Sequence, residues 1–291
     1  MYKQKLNVHL YVTPICNLQC IHCYYEAKNT KFKIEDTLSI KDMKYIIEVL
    51  IDNYDAYFDI EGGEIFLRED IHSLFNSLDK KYLNRLTITT NGTIDFDINQ
   101  EYLKYLDEFR ISFEGNTNKI QKQIRGITLE KPLNLAKKLL KNKIMPTIRI
   151  TIHKQNFNKI SDIIDFYSSY GFKKFSFYEF ISIGRGKKYN ELSLNDNDFY
   201  LLANEIKNLN NNIDYKFSFP KHRVKFFKNY INIAGVSSLT IDYNGNIGIC
   251  PWKIGQDIFA KFDKDNFLSI ISNKNLIHNC DYCSAIRITN A

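Results

Sequence analysis

The sequence lacks the features of membrane-spanning and exported proteins. No run approaches the ~18 consecutive apolar residues that a membrane-spanning helix needs. Residues 1–12 mix Lys3, Lys5 and His9 into their apolar positions and contain no small-residue cleavage site, so they do not resemble a secretory signal peptide. We therefore expect a cytoplasmic protein that does not contact a membrane.

Cysteine is scarce, with six among 291 residues. A secreted disulfide scaffold fits poorly, because such scaffolds are short and this length can bury one large core. The 44% of hydrophobic and 25% of charged residues are typical of a globular protein. The cysteines form two groups whose close spacing is typical of metal ligands. The first group is Cys16, Cys20 and Cys23, and the second is Cys250, Cys280 and Cys283.

The sequence also has no strong excess of one charge. Its formal net charge of +7 is modest for this length and would fall further if thiolates bound iron. The densest basic stretch, residues 221–228, could attract an acidic peptide or a nucleic acid, but we favour a solvated face. We expect no nucleic-acid partner.

Strand-like and helix-like segments alternate over about the first 180 residues. Six β/α units in this order predict an α/β fold with a parallel sheet curled into a partial (β/α)6 barrel similar to a TIM barrel. The predicted strands are 6–12, 56–60, 86–90, 109–113, 147–153 and 174–180. The predicted helices between them are 39–51, 71–78, 101–106, 132–142 and 160–170, and the first opens with a capping box.

The alternation stops after residue 186. A capped helix over 195–210 and an Asn-rich linker follow, and then Asn244-Gly245 lies between two apolar runs, which predicts a β-hairpin. We expect three parts: a barrel over 1–186, a bridging region over 187–230 and a small C-terminal extension over 231–291.

The chemically unusual residues follow the predicted strands. The first cysteine group, a Gly-Gly pair, an Asn-Gly pair, Glu114, His153 and Glu179 all lie at strand ends, where parallel barrels carry their catalytic groups. Three thiolates can hold three irons of a four-iron cluster and leave the fourth open to a small molecule. A structural zinc site with His22 as fourth ligand is the alternative, and we consider it weaker.

The run Cys16-Asn-Leu-Gln-Cys20-Ile-His-Cys23-Tyr24, together with Gly62-Gly63-Glu64 and Thr90-Asn91-Gly92, resembles the radical S-adenosylmethionine (radical SAM) superfamily. The resemblance covers about residues 6–186. It implies a [4Fe-4S] cluster whose open iron binds S-adenosylmethionine, which is then cleaved by one electron to a 5′-deoxyadenosyl radical.

The resemblance also implies roles for single residues. Cys16, Cys20 and Cys23 would hold iron. The segment Gly62, Gly63 and Glu64 would meet the methionine amino group, with the glycines allowing close backbone approach. Ser112 would lie near the ribose, Arg125 would pair with the methionine carboxylate and His22 would stack near adenine. For Asn91, a turn residue and a ligand contact are equally supported.

The second cysteine group resembles an auxiliary-cluster extension of this superfamily, called SPASM or, in its shortened form, twitch. Gly245-x4-Cys250-Pro251 and Cys280-x2-Cys283 match it, but Asn232 stands where such extensions carry their first cysteine. The resemblance implies at most one auxiliary [4Fe-4S] cluster, held by Cys250, Cys280 and Cys283. A zinc site from these three cysteines remains the alternative.

Barrels with this extension often modify ribosomally made peptides, so a peptide is the expected substrate and a flavodoxin- or ferredoxin-like protein the expected electron donor. The first strand begins by residue 6, which suggests that a separate protein binds any leader. If all six cysteines hold iron, none is spare as a hydrogen donor, which favours a crosslink over epimerisation. Tyr178 and Glu179 are the candidates to touch substrate or take a proton. Oxidation of a sugar or nucleotide, and a non-catalytic metal-binding role, remain alternatives.

Overall fold

The computed structural model describes residues 3–28, 33–209, 212–227, 231–232, 237–276 and 284–289. Its strands form a single twelve-stranded sheet in the order β11-β10-β9-β1-β2-β3-β4-β5-β6-β7-β12-β8. The strands are β1 (Lys5–Tyr11), β2 (Asp55–Glu61), β3 (Leu86–Thr90), β4 (Glu108–Phe113), β5 (Thr147–Ile152), β6 (Lys174–Glu179), β7 (Asp214–Pro220), β8 (Ile231–Asn232), β9 (Ser237–Ile241), β10 (Asn246–Gly248), β11 (Ile258–Lys261) and β12 (Ser284–Thr289).

Eight α-helices accompany these strands in the described part of the chain. They are α1 (Ile40–Asn53), α2 (Ile71–Asn76), α3 (Lys80–Leu83), α4 (Asn118–Arg125), α5 (Glu130–Lys141), α6 (Ile160–Ser168), α7 (Asp196–Lys207) and α8 (Phe267–Ser272). Short 3-10 segments add Ile34–Asp36, Ile65–Leu67, Glu101–Lys104, Gly184–Leu192, Lys221–Phe226 and Pro251–Lys253. None of the described helices is long and apolar enough to cross a membrane.

The parallel part of the sheet extends beyond the six strands that the sequence predicts. Strands β1 to β6 pair in sequence order and confirm the predicted α/β barrel. Strand β7 then pairs parallel with β6. We missed it because Asp214–Pro220 follows the Asn-rich stretch and ends on proline, which weakens a strand pattern.

The C-terminal extension is joined to both edges of this parallel sheet. Strand β9 pairs parallel with β1, and β12 pairs antiparallel with β7. The predicted hairpin is present, since β9 and β10 pair antiparallel around Gly245, whose φ of +81° suits glycine. Hydrogen bonds therefore run without interruption from barrel to extension, and the three-part division stays a prediction.

The two faces of the parallel strands differ in polarity. On β5, Ile148, Ile150 and Ile152 are fully buried and belong to the main hydrophobic core. The alternate residues Arg149 and Thr151 line a cavity, because successive side chains point to opposite faces of a strand. The barrel therefore keeps an apolar outer face under the helices and a polar interior.

Helix α1 begins as the sequence predicts. The Ser39 hydroxyl accepts a hydrogen bond from Asp42 N at 3.1 Å, and the Asp42 carboxylate accepts one from Ser39 N at 3.3 Å. This capping box satisfies two backbone donors at the helix start. Met43, Ile46, Ile47 and Leu50 then share the buried face of the helix.

Replacing the cap serine tests how much this start contributes. We expect Ser39→Ala to lower the free energy of unfolding by about 1 kcal/mol, because the backbone donor of Asp42 loses its acceptor. The measurement is the urea unfolding midpoint at constant m-value. Ser73→Ala, at an exposed position inside α2, is the control and should change stability little. Equal effects of the two substitutions would contradict the capping role.

Candidate functional site

A cavity of about 140 Å³ opens at the carboxyl ends of the parallel strands. All three cysteines of the first group line it, together with ends of β2 to β6 and Trp252 from the extension. Of the predicted site residues, the structure brings the following to this one cavity: Cys16, Cys20, His22, Cys23, Gly62, Gly63, Asn91, Ser112, Arg125, Tyr178 and Glu179.

The cysteine loop follows β1 and is closed at its base by the chain that leaves it. Cys16 N donates to Lys28 O at 2.9 Å, and Lys28 N donates to Pro14 O at 3.0 Å. Within the loop, Cys23 N donates to Cys20 O at 3.2 Å, which makes a tight turn. Cys16 and Cys20 are buried and Cys23 is half-buried. The Arg185 side chain adds bonds to the carbonyls of Cys20 and Ala27, so bonds to the loop backbone hold the three thiols at the cavity wall.

The glycine pair after β2 fixes the position of this loop. Gly63 N donates to Thr13 O at 2.9 Å, and Glu64 N donates to Ile15 O at 2.7 Å. A Cβ atom at Gly63 would lie 1.9 Å from Ile15 O, closer than atoms can approach. The close backbone approach that we predicted for these glycines is thus made to the chain itself, at the entry to the cysteine loop.

The contact of Glu64 with the methionine amino group stays a prediction, and the structure shows its side chain bonded within the protein. It is fully buried, and its carboxylate accepts hydrogen bonds from Thr90 Oγ1 at 2.7 Å and from Asn91 N at 2.7 Å. It does not line the cavity as Asn91 does. Asn91 in turn places its amide 3.7 Å from Cys16 Sγ. Glu64 therefore positions Asn91 beside a thiol, and a direct ligand contact stays a prediction.

Glu114, which directly follows β4, is the centre of a buried charge cluster. Its Oε1 lies 2.6 Å from Arg125 Nη2 and 2.7 Å from His22 Nε2, and its Oε2 lies 3.3 Å from His153 Nε2. The Arg125 guanidinium also reaches to 4.0 Å from Cys20 Sγ. One carboxylate thus holds a cation and an imidazole against the cysteine loop.

This cluster shifts the protonation of its members. Burial alone would raise the pKa of Glu114, but His22 and Arg125 hold that pKa well below its usual value. Burial lowers the pKa of His22, although Glu114 opposes this. Burial also raises the pKa of the Cys20 thiol to about 11, against the opposing charge of Arg125. A metal bound here would displace the thiol protons, since thiolates are the ligands.

The spacing of the three thiols disfavours zinc. A single zinc ion holds its sulfur ligands at about 2.3 Å, and therefore within about 4 Å of one another. Among the described His, Cys, Asp and Glu residues, only the trio His9, Asp59 and Glu61 has ligand atoms all within 4.8 Å. The thiols are more widely spread, as a cluster of several irons requires. This donor set fits an iron–sulfur cluster.

The neighbouring polar atoms also fit a charged ligand beside such a cluster. Arg125 Nε and His22 Nδ1 are both buried, and neither has a hydrogen-bond partner within the described structure. Both residues line the cavity, as does Ser112. Buried polar atoms are rarely left unpaired, so these positions suit a ligand with its own charges and hydrogen-bonding groups.

Tyr178 and Glu179 both line the cavity, in different environments. The Glu179 carboxylate accepts two hydrogen bonds from Arg223 Nε, at 3.0 and 3.1 Å, and both side chains are buried. Arg223 belongs to the basic stretch that we interpreted as a solvated face, so this interpretation fails for its one buried arginine, whereas Lys221 and Lys225 are exposed. A proton-accepting role for Glu179 remains a prediction and would require this pair to separate.

The extension reaches the cavity through the segment after Cys250. The Trp252 ring lies edge-on to the ring of Tyr24, the residue after Cys23, and the two ring centres are 5.0 Å apart. Cys250 itself is buried and does not line the cavity. Cys280 and Cys283 fall outside the described residues, as does the side chain of Asn232. The auxiliary cluster therefore stays a prediction.

Sequence reasoning missed the partners that hold these residues in place. It noted Glu114 and His153 as strand-end residues but did not pair Glu114 with His153 or Arg125. It also assigned no role to Arg149. This polar residue lies between the apolar residues Ile148 and Ile150, and such alternation in a strand predicts that its side chain faces the barrel interior. Tyr24 was read only as part of the motif, yet its hydroxyl donates to Glu61 Oε2 at 2.7 Å across the cavity.

Comparisons with known proteins agree with this geometry. A family model described as the radical SAM superfamily matches residues 10–167, which is more than half of the chain. The Fe-coproporphyrin III synthase of Methanosarcina barkeri is 31% identical over 61% of this chain and 44% of its own length. The subtilosin biosynthesis protein AlbA of Bacillus subtilis is 25% identical over 64% of this chain and 42% of its own length. The chain thus spans less than half the length of these two relatives.

A solved structure shows that the fold extends beyond the matched region. SuiB of Streptococcus suis, bound to S-adenosylmethionine, superposes with a TM-score of 0.74 at 18% identity. The match covers 94% of this chain and 67% of SuiB. SuiB has also been solved bound to its precursor peptide SuiA. At this identity the likeness establishes the fold, including the arrangement of the extension against the barrel.

Gly63→Ala tests whether the glycine pair holds the cysteine loop. The added Cβ would displace Ile15 O, so we expect the variant to bind much less iron and sulfide on anaerobic reconstitution. The measurement is iron content together with visible absorbance. Gly255→Ala is the control, because a Cβ at Gly255 would meet no atom within 4 Å, so the substitution adds only the backbone strain of a φ of +74°. Normal cluster loading in Gly63→Ala would contradict this account of the loop.

Glu114→Gln tests the buried charge cluster. It leaves the Arg125 guanidinium without its buried counter-charge, so we expect the free energy of unfolding to fall by about 3–5 kcal/mol. The pKa of Glu114 is lower in the folded protein than in the unfolded chain. Its contribution to the free energy of unfolding is therefore complete above the pKa of the unfolded chain, and it is lost only as the pH falls through the pKa of the folded protein. The stability gap between wild type and variant should therefore not narrow from about pH 7 to 5.

The gap is measured by urea unfolding at each pH. Glu191→Gln, at an exposed position, serves as the control and should change stability little. A gap that already narrows between neutral pH and pH 5 would show that Glu114 is not held ionised by its neighbours.

Proposed function

The chain belongs to the radical SAM superfamily, and on this premise we propose that it takes hydrogen from a ribosomally made peptide and installs a crosslink or another oxidative modification. It is an enzyme, and its cofactors are a [4Fe-4S] cluster and S-adenosylmethionine. When bound, this pair supplies a one-electron cleavage that yields a carbon radical able to abstract hydrogen. The remaining chemistry depends on how the chain holds its cofactors and its substrate.

The cofactors would be held by side chains already placed around the cavity. Cys16, Cys20 and Cys23 would bind three irons, so that one iron stays without a protein ligand. Arg125 has five N–H donors, of which Glu114 uses only part, so Nε remains for the methionine carboxylate. Ser112, which also lines the cavity, would contact the ribose.

The observation that carries the peptide proposal is that one residue of the extension, Trp252, lines the cofactor cavity. Trp252 lines the cavity together with Tyr24, so a substrate entering there meets both barrel and extension. AlbA, which takes part in making the bacteriocin subtilosin, supports a peptide as the substrate. SuiB, solved with a precursor peptide, has the same fold.

The reaction type follows from the cysteines. We propose that Cys250, Cys280 and Cys283 hold an auxiliary [4Fe-4S] cluster, which leaves no cysteine as a hydrogen donor. The auxiliary cluster would supply an acceptor for one electron, so that a substrate radical would lose that electron and a proton instead of regaining hydrogen, and a crosslink or a new double bond would result. Electrons for the first cluster would come from a flavodoxin- or ferredoxin-like protein. Epimerisation becomes the favoured reaction if one of these three thiols binds no iron.

A small molecule is the second candidate substrate. Fe-coproporphyrin III synthase is 31% identical to this chain over 184 residues, more than AlbA is, and its name identifies a porphyrin rather than a peptide. The same cavity would serve, since the barrel supplies the cofactor site in either case.

Anaerobic turnover in heavy water tests the proposal. The substrate is a short peptide encoded beside the gene, and the product is read by mass spectrometry. We expect a peptide that has lost two hydrogens, formed together with 5′-deoxyadenosine. A variant with Cys16, Cys20 and Cys23 all replaced by Ala is the control and should give neither product. Gain of one deuterium would overturn the oxidative reaction in favour of epimerisation, and 5′-deoxyadenosine without any peptide change would overturn the peptide substrate.

A further inference from the structure

The cofactor cavity contains one cation that has no charged partner among the described residues. Six charged or imidazole side chains line the cavity. Five of them have fixed partners: His22 and Arg125 contact Glu114, Glu61 accepts a hydrogen bond from Tyr24, Glu179 binds Arg223, and Arg185 donates to the carbonyls of Cys20 and Ala27. The sixth, Arg149, has neither a hydrogen bond nor an ion pair in the described part of the chain.

Arg149 is held in position without being neutralised. Its guanidinium carbon lies 4.7 Å from the centre of the Tyr178 ring, a stacking contact that orients the plane of the group but leaves its N–H donors open. In the sheet it is paired with Ser112 on one side and Ser176 on the other. It therefore lies at the level of the predicted ribose contact, on the interior face of the barrel.

The surroundings of Arg149 are polar and also incompletely satisfied. The hydroxyl of Thr89, which lines the same cavity, and the hydroxyl of Ser176 are both buried without a hydrogen-bond partner among the described residues. Glu61, which also lines the cavity, has its carboxylate engaged with Tyr24. The charge of Arg149 acts on Glu61 from a distance, with no contact between the two side chains.

An arginine enclosed in this way is costly unless a counter-charge arrives. A half-buried guanidinium loses part of its hydration, and stacking on an aromatic ring replaces only part of that loss. Its planar fork matches a carboxylate, which can accept two parallel hydrogen bonds. We propose that Arg149 binds a carboxylate of the substrate and thereby places the substrate beside the cofactor.

This inference rests on the proposed function, because the substrate must enter the cofactor cavity. In a peptide, the carboxylate can come from an acidic side chain or from the C-terminus. With either source, the contact with Arg149 would hold one end of the modified residue at β5, and the rest of the peptide would extend past Trp252. Arg149 would thus determine which residue of the peptide is presented for hydrogen abstraction.

The test measures binding of small carboxylates to the reconstituted protein with S-adenosylmethionine present, by saturation-transfer NMR. One pair of probes is acetyl-glutamate methylamide and acetyl-glutamine methylamide, which differ only in the side-chain charge. The other pair is acetyl-alanine and acetyl-alanine methylamide, which differ only in the terminal charge. We expect one carboxylate to bind at least about tenfold more tightly than its amide partner, as a charge-assisted bidentate contact requires. The pair that shows the difference identifies the source.

Variants assign the difference to this arginine. Arg149→Gln should abolish it, and Arg149→Lys should retain part of it, because lysine keeps the charge without the planar fork. Arg85→Gln is the matched control, since Arg85 also stacks on a tyrosine, Tyr57, but is paired with Asp55 outside the cavity. Thermal unfolding of each variant shows that it is folded. Should Arg149→Gln fail to fold, Arg149→Lys alone decides, because unchanged carboxylate binding in it would overturn the bidentate contact.

Two results would overturn the inference. One is equal binding of carboxylate and amide in the wild type. The other is a loss of S-adenosylmethionine binding in Arg149→Gln, which would show that this arginine holds the cofactor. Because binding is measured without turnover, carboxylate recognition can succeed in a protein that modifies no peptide. The outcome is therefore separate from that of the heavy-water experiment.

Discussion

The site depends on one close contact between two backbone segments. The glycine pair after β2 packs against Thr13 and Ile15 so tightly that even a single carbon at Gly63 would clash. This contact sets the direction in which the chain leaves β1, and so the place where Cys16, Cys20 and Cys23 enter the cavity. An iron cluster needs thiols at defined separations, and here the backbone rather than a ligand provides them. The glycines act here as packing residues.

A second layer of organisation is electrostatic. Glu114 gathers Arg125 and two imidazoles at the strand ends, and Glu179 binds Arg223 from the segment that leads to the extension. These pairs are buried, where losing one partner costs far more than the pair contributes. They therefore fix positions, while Arg149 is left open. The paired charges therefore position the site, whereas Arg149, which has no ion pair among the described residues, is available to a substrate.

Much of the fold could be predicted from the sequence because its determinants are local. Strand β3, the capping box of α1 and the Asn244-Gly245 hairpin each follow from a few neighbouring residues. The cysteine loop and glycine pair were found by motif. The partners of Glu114 and Glu179 could not be predicted, because they come from elements far apart in sequence whose register sets the distances. The lack of an ion pair at Arg149 among the described residues could not be predicted either, because it depends on where the neighbouring charged residues lie in the fold.

The central claim is that three thiolates hold a cluster with one iron open to S-adenosylmethionine. Electron–nuclear double resonance of the reduced, reconstituted protein tests it most directly, with S-adenosylmethionine carrying ¹⁵N in its amino group. The account predicts a ¹⁵N coupling to the cluster, present in the wild type and in Gly255→Ala. A cluster signal that shows no coupling and does not change when S-adenosylmethionine is added would contradict it.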